Sequence, residues 1–481
     1  MSWRGVLRIL GILLMIFSGT VLPPILVSIG YADGQHWHFV YTGLVILALG
    51  IALWLPLRKA DADLKIRDGF MVVALFWSVL GVLGSLPFLF GLHLSFTDAV
   101  FEAVSGFTTT GATAIVGLDR LPPSIPYHRQ QLQWLGGMGV IVLAVAILPM
   151  LGVGGMQLYR AEASGVTKDE KLTPRITQTA RALWTIYLGL TLICALAYWI
   201  AGMSLFDAIG HAYSTVATGG YSTHDASIGH YDSPLIEGIA IVFMLLGGIN
   251  FALHFTAWHR RRPWAYLRDP EFRVYLLLAV GSSLAIAAVL TLESTYASAG
   301  PSLRHATFQV VSILTSTGFG TAIFAEWPLF VPLLLAVLSF IGGCAGSTAG
   351  GMKVVRVMLL FKQGERQTVT LLHPRSVRFV KLGRRRVPEE VMQSVWGFFS
   401  LYMLSVVVLT IGMMAAGLDL ESAFGAVVAT INLLGPGLGE VAGNFATVND
   451  AVKWMGVFAM LLGRLEVFTL LVIFTVTFWR P

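Results

Sequence analysis

The sequence predicts an all-α polytopic membrane protein: four pseudo-repeated helix–pore-loop–helix units around a central pore, plus two extra N-terminal transmembrane helices. Three observations carry this reading. Of the 481 residues, 56% are hydrophobic and only 12% are charged, where a soluble chain carries about 25% charged residues. The apolar stretches run to about 20 residues, enough to cross a hydrocarbon core of roughly 30 Å. Four times, a short helix-like stretch leads into a glycine-centred pentapeptide: Thr109-Thr110-Gly111-Ala112-Thr113, Thr218-Gly219-Gly220-Tyr221-Ser222, Ser316-Thr317-Gly318-Phe319-Gly320 and Leu433-Leu434-Gly435-Pro436-Gly437.

The first apolar segment, Val6 to Ile29, follows Arg4 and Arg8. It is too long for the core of a signal peptide, contains Pro23-Pro24 and lacks a small-residue cleavage site, so it reads as an uncleaved membrane helix. A second helix follows over 38–57. Each repeat then consists of a spanning helix, a short helix, the pentapeptide and a second span. The paired spans fall at 69–92 and 130–158, 180–202 and 234–258, 272–293 and 327–361, and 392–416 and 452–478. The short helices, 95–109, 204–217, 302–316 and 419–433, cannot span. They read as re-entrant, a form tolerated at membrane depth only inside protein or around a wet cavity. The expected divisions are 1–60 for the two leading helices, then 61–160, 161–262, 263–386 and 387–481 for the repeats.

The approaches to the glycines are in register. Ser105, Ser214, Ser312 and Ala429 each stand six residues before their glycine. The glycines follow one another at 109, 98 and 117 residues, which suits a ring of four units better than a stacked array. Four carbonyl-lined loops can replace the water shell of a cation, and a helix C-terminus adds about −0.5 elementary charge. The pentapeptides contain no Asp or Glu, whereas calcium and magnesium sites use carboxylates or bound water. The expected cargo is a monovalent cation, potassium before sodium. The site residues are then Thr109, Thr110, Gly111, Thr218, Gly219, Gly220, Ser316, Thr317, Gly318, Leu433, Leu434 and Gly435.

The second spans carry small pairs: Gly136-Gly137, Gly247-Gly248, Gly342-Gly343 and, in the fourth, Gly463-Arg464. The second member lies 26, 28, 25 and 29 positions beyond its glycine. Arg464 thus stands where the others have glycine. A lone arginine in a span costs about 3 kcal/mol or more unless it faces protein or water. It reads as a cationic constriction below the filter, with a structural pair to Glu466 as the bland alternative. In the third unit, glycines crowd the stretch 342–351 on all helix faces. At about 1 kcal/mol each they should break the helix. Gly346, Ser347, Thr348, Ala349, Gly350 and Gly351 then form a gate loop with Lys353 as its anchor; close helix packing is the alternative.

Basic residues gather at Arg58–Arg67, Arg160–Arg181, Arg260–Arg273 and Arg356–Arg386. By the positive-inside rule these are cytoplasmic, as is the N-terminus. The net charge of +6 therefore reflects topology and implies no nucleic acid. Cys194 and Cys344 both lie in apolar segments and make neither a disulfide framework nor a metal site. No nucleotide-binding fingerprint is present, so no nucleotide is expected on this chain. Asp98, Asp207 and Glu421 complement the short helices' dipoles, and His211 occupies the place of Glu102. An enzymatic reading rests on His224 and His230 with Asp225 and Asp232; a pore, with no catalytic residues, accounts for far more of the chain.

Ser105-Gly106-Phe107-Thr108-Thr109-Thr110-Gly111-Ala112-Thr113, Gln133-Trp134-Leu135-Gly136-Gly137-Met138-Gly139 and Gly346-Ser347-Thr348-Ala349-Gly350-Gly351-Met352-Lys353 resemble the Trk/Ktr/HKT superfamily of potassium transporters, nearest to its bacterial TrkH branch. The resemblance covers essentially the whole chain. It implies a homodimer in the bacterial inner membrane with one pore per protomer. It also implies a cytoplasmic TrkA-type ring that binds NAD and ATP/ADP and sits on loops 160–181 and 362–386. By position it assigns Gly111, Gly220, Gly318 and Gly435 to the filter, 346–351 to the gate and Arg464 to the pore. The expected activity is gated, potassium-selective uptake that also passes rubidium. Symport of potassium with protons or sodium through the same filter is the alternative.

Overall fold

The computed structural model describes residues 2–59, 65–142, 172–259, 261–328, 330–375, 378–383 and 385–480. The expected span 130–158 beyond residue 142, and the basic loop 160–181 up to residue 171, lie outside them. The two leading helices are Trp3–Tyr31, with a tightened turn at Gly19–Val21, and His36–Leu57. Glycine lets them pack closely: a Cβ on Gly11 would come within 2.8 Å of the Gly50 carbonyl. The first spans are Ile66–Leu83 continued by Leu86–Gly91, Leu172–Ile200, Pro270–Leu292 and Glu389–Ala415. Large apolar side chains on these spans, such as Leu192, Leu277, Leu404 and Ile411, stand exposed, which suits a lipid-facing perimeter.

The four short helices are Phe96–Phe107, Leu205–Val216, Ala299–Leu314 and Leu420–Ile431. Three begin with a side-chain cap. Ser95 accepts from the Asp98 amide and donates its hydroxyl to the Asp98 carboxylate. Ser204 and Asp207 repeat the arrangement, and Asp419 accepts from the amides of Glu421 and Ser422. These pairings satisfy free helix-end donors. Asp98, Asp207 and Glu421 fall in the first turns, as their dipole role requires.

The second spans are Ser124–Val142, Pro234–Gly247, Val331–Ile341 and Asp450–Arg464. Each short helix packs between the second span of its own unit and that of the unit before it. The first short helix closes the circle against Asp450–Arg464 of the fourth unit. The core is therefore a ring of eight helices inside the first spans.

Two of the expected second spans are not continuous. Pro234–Gly247 turns by 95° into Phe251–His259, and Asp450–Arg464 turns by 109° into the helical segment Phe468–Phe474. At the first bend, Asn250 Oδ1 accepts from the Ala252 amide and starts a new helix. At the second, Glu466 and Val467 both adopt left-handed backbone, at φ 54° and 56°. The expected break in the third unit is present: no helix covers 342–353, and a helix resumes at Val354–Leu372. Among the described residues, six helices can cross a membrane, or eight if each bent pair counts once. One small antiparallel pairing, Lys381–Leu382 with Arg385–Arg386, departs from the all-helical plan.

Candidate functional site

All four short helices end in the same way. The residue two before each glycine takes left-handed backbone: Thr109, Thr218, Ser316 and Leu433, at φ 56°, 51°, 52° and 58°. The next residue's amide reaches back to the residue six before the glycine. Thr110 bonds the Ser105 carbonyl at 2.8 Å, Gly219 that of Ser214 at 2.8 Å, Thr317 that of Ser312 at 2.7 Å and Leu434 that of Ala429 at 2.9 Å. A second bond joins each left-handed residue to the carbonyl three before it. This is a Schellman cap, usually built on glycine. The serine–alanine register thus marks a carbonyl acceptor, which any side chain provides.

The glycines are left-handed too, at φ 81°, 77°, 80° and 95° for Gly111, Gly220, Gly318 and Gly435. A Cβ on Gly111 would strike the Gly219 carbonyl; one on Gly220, that of Thr317; one on Gly318, that of Leu434. A Cβ on Gly435 would stand 2.9 Å from the Thr110 carbonyl. Four glycines and four preceding carbonyls therefore alternate around one closed ring, each unit meeting the next. Thr110, Gly219, Thr317 and Leu434 supply those carbonyls, and the left-handed residues Thr109, Thr218, Ser316 and Leu433 lead into them.

Side chains behind the ring hold the loops after the glycine. Nine residues before it stand Glu102, His211, Gln309 and Ala426. Glu102 accepts from the Thr113 hydroxyl and the Ala114 amide. His211 Nε2 shares a hydrogen bond with Ser222 Oγ at 2.9 Å, and Gln309 donates to the Ala322 carbonyl. The second span of the first unit adds Arg129, fully buried, whose guanidinium pairs with Glu102 at 2.7 Å. Arg129 also donates to the Ser222 carbonyl at 3.2 Å and lies 4.0 Å from the Tyr221 ring centroid. Gln133 donates to the Gly219 carbonyl and accepts from the Tyr221 amide. Sequence reasoning missed Gln309 and Arg129 in this role. Extending the Glu102–His211 comparison to all four units would have found Gln309.

The small pairs acquire a reason here. A Cβ on Gly136 would strike the Phe107 carbonyl, and one on Gly463 that of Ile431. One on Gly247 would stand 3.0 Å from the Val216 carbonyl. Each of these glycines lets its second span abut the last turn of its own short helix.

Arg464 lies against the helix-end side of the ring. It donates Nε to the Thr108 carbonyl at 2.7 Å, Nη2 to the Thr109 hydroxyl and Nη1 to the Thr348 carbonyl at 3.1 Å. It does not pair with Glu466, which Arg356 binds at 2.5 Å. A guanidinium at the C-terminal end of a helix is favourably placed.

The broken segment of the third unit lies under the same ring. Thr348 accepts from the Thr218 hydroxyl at 3.1 Å and donates to the Gly247 carbonyl at 3.1 Å. The Gly350 amide donates to Ser316 Oγ. A Cβ on Gly350 would collide with the Asn432 carbonyl. With Arg464 reaching Thr109, the segment is thus connected to all four loops. Gly342, Gly346 and Gly351 take left-handed backbone. Lys353, itself left-handed at φ 80°, is buried and donates Nζ to the Ala349 carbonyl, so it anchors the segment internally and not to headgroups. Glu271, a tether that sequence reasoning missed, accepts from the amides of Ala345 at 2.8 Å and Val355 at 3.1 Å.

This architecture has known counterparts. Residues 35–479 match the TrkH family, described as cation transport protein. The chain is 54% identical over its whole length to the full-length Trk system potassium uptake protein TrkH of Salmonella typhimurium. It is 40% identical to the Trk system potassium uptake protein TrkG of Escherichia coli, with 99% of each chain covered. The crystal structure of the potassium transporter TrkH from Vibrio parahaemolyticus superposes with a TM-score of 0.94, at 52% identity and with both chains fully covered. The chain is a multi-pass membrane protein and belongs to the TrkH family of cation transport proteins.

Proposed function

We propose that this chain takes up potassium through the ring formed by Gly111, Gly220, Gly318 and Gly435 and the carbonyls around them. The observation that carries the reading is the closed alternation of glycine and carbonyl through four units of one chain. Side chains differ at every loop, so the ion is read by backbone oxygens, as in a carbonyl filter. Four helix C-termini supply negative potential without a carboxylate. The full-length relatives named above are potassium uptake proteins, which supports potassium, and with it rubidium, as the cargo. The chain works as a transporter and not as an enzyme.

The segment 346–351, Lys353 and Arg464 form the gate. Arg464 occupies the Thr108 carbonyl with a fixed positive charge and so opposes a cation in the closed state. Opening requires the segment to release Thr218, Ser316 and Arg464 together. By the positive-inside rule the basic clusters support an N-terminus inside and the loops that follow the glycines outside, and family membership supports the bacterial inner membrane as the location. Two protomers pair, and a nucleotide-binding ring docks on the cytoplasmic side at 362–386.

Rubidium-86 flux in proteoliposomes tests this for wild type, Gly435→Ser and Arg464→Ala. Wild-type flux should be blocked by potassium more strongly than by sodium or lithium. Gly435→Ser should lose that discrimination, and Arg464→Ala should raise the flux. Absence of cation flux from all three proteins would sink the reading.

A further inference from the structure

The segments that follow the first and second glycines bring three metal-ligating side chains together. Asp119, His224 and His230 each offer one ligand atom, all within 4.8 Å of one another. The alternative enzymatic reading groups His224 and His230 with Asp225 and Asp232. Instead, Asp232 binds Arg304 at 2.8 Å and Asp225 accepts from the Gly117 amide. The carboxylate comes from the neighbouring unit: Asp119 Oδ1 stands 2.6 Å from His224 Nδ1. The two imidazoles lie face to face, 3.6 Å between centroids and 3° from parallel. His224 Nε2 is buried without a hydrogen-bond partner, and its nearest ion-pairing carboxylate, Asp207, is 3.9 Å away.

We propose that Asp119, His224 and His230 bind one borderline divalent transition-metal ion, zinc above all, which clamps the loops after Gly111 and Gly220 together. Two imidazoles and a carboxylate are a zinc-type ligand set, with the fourth position left to water. Ligands about 2.0–2.2 Å from a tetrahedral zinc stand roughly 3.4 Å apart, so the cluster needs only a modest closure. The stacked rings do not share a ligating plane. His230 is exposed and turns to supply its nitrogen. Potassium, which takes oxygen ligands, is not the occupant. The ion also has a consequence that rests on the pore reading. Ser222, tied to His211 behind the ring, accepts from the His224 amide at 3.1 Å. A fixed dication at this point stiffens the second loop and repels incoming cations.

Zinc binding by the purified full chain in detergent, measured by competition with a chromophoric chelator, tests the site for wild type, His230→Ala and Asp119→Asn. One zinc per wild-type chain is expected, with at least tenfold weaker binding in each variant. Absence of stoichiometric zinc, or equal affinity in all three proteins, would overturn the proposal. In proteoliposomes, zinc on the face bearing these loops should slow rubidium flux in wild type and not in His230→Ala. Equal zinc sensitivity of the two would also overturn it. If neither protein carries flux even without zinc, the pore reading fails and the binding data alone decide the site.

Discussion

The loops of the first two units and the loop of the fourth reach one backbone geometry by different means. In the first two, polar side chains do the holding: Glu102 and Arg129 grip the chain after Gly111, and Gln133 and His211 grip it around Gly220. In the fourth, Ala426 stands where Glu102 and His211 stand, and the loop itself is Leu433-Leu434-Gly435-Pro436. Backbone packing and the Asn432 side chain take their place there. A Cβ on Gly425 would collide with the Leu438 amide nitrogen, and the Gly437 amide donates to the Val441 carbonyl at 3.1 Å. Asn432 accepts from the Tyr402 hydroxyl and donates to Ser339 Oγ at 2.7 Å. The left-handed residues still match within a few degrees, 56° at Thr109 and 58° at Leu433. The helix cap and the ring therefore dictate the geometry, and each unit supports it with the chemistry it has.

If so, the two kinds of support should fail differently. Arg129→Met is the largest expected effect. It strands a buried Glu102 carboxylate, and breaking a buried pair in this way costs about 3–5 kcal/mol. Thermal unfolding in detergent should show a clear fall in Tm. A loss under about 1 kcal/mol would mean that the side chains are incidental in the first unit as well. Gly425→Ala probes the other support and should cost about 1–3 kcal/mol through overpacking against Leu438, with cation selectivity reduced along with stability. Unchanged melting and selectivity would show that the fourth loop has slack the first lacks.

The same contrast explains what was legible in the sequence. The four units could be aligned because the Schellman cap and the glycine ring impose a fixed spacing from short helix to glycine. The break over 342–353 was legible because its cause, a run of glycines, is local. The bends at Gly247–Asn250 and Arg464–Val467 were not. Val467 is β-branched and disfavours left-handed backbone, yet it sits at φ 56° where Arg356, from a helix a hundred residues away, holds Glu466. Tertiary contacts override propensity at that point. Arg129 stands in the sequence outside the four basic clusters, and only the fold reveals that it is buried against Glu102.

The smallest effect separates a buried ion pair from an exposed hydrogen-bonded pair. Asp119 and His224 approach as closely as Glu102 and Arg129, at 2.6 Å against 2.7 Å, but the Asp119 side chain is 46% exposed. An exposed pair is worth about 0–1 kcal/mol. The hydrogen bond from His224 lowers the Asp119 carboxyl from its usual value of 3.8. A depressed carboxylate stabilises the fold above its unfolded value and stops doing so as pH falls through its folded value. Asp119→Asn should therefore cost under about 1 kcal/mol near neutral pH, and the gap to wild type should close below pH 3.8. Melting curves of both proteins at neutral and acid pH measure it. A neutral-pH cost rivalling that of Arg129→Met would mean that the loop pair is as structural as the buried one, and that the side-chain support of the first two units extends beyond the ring to the loops that cover it.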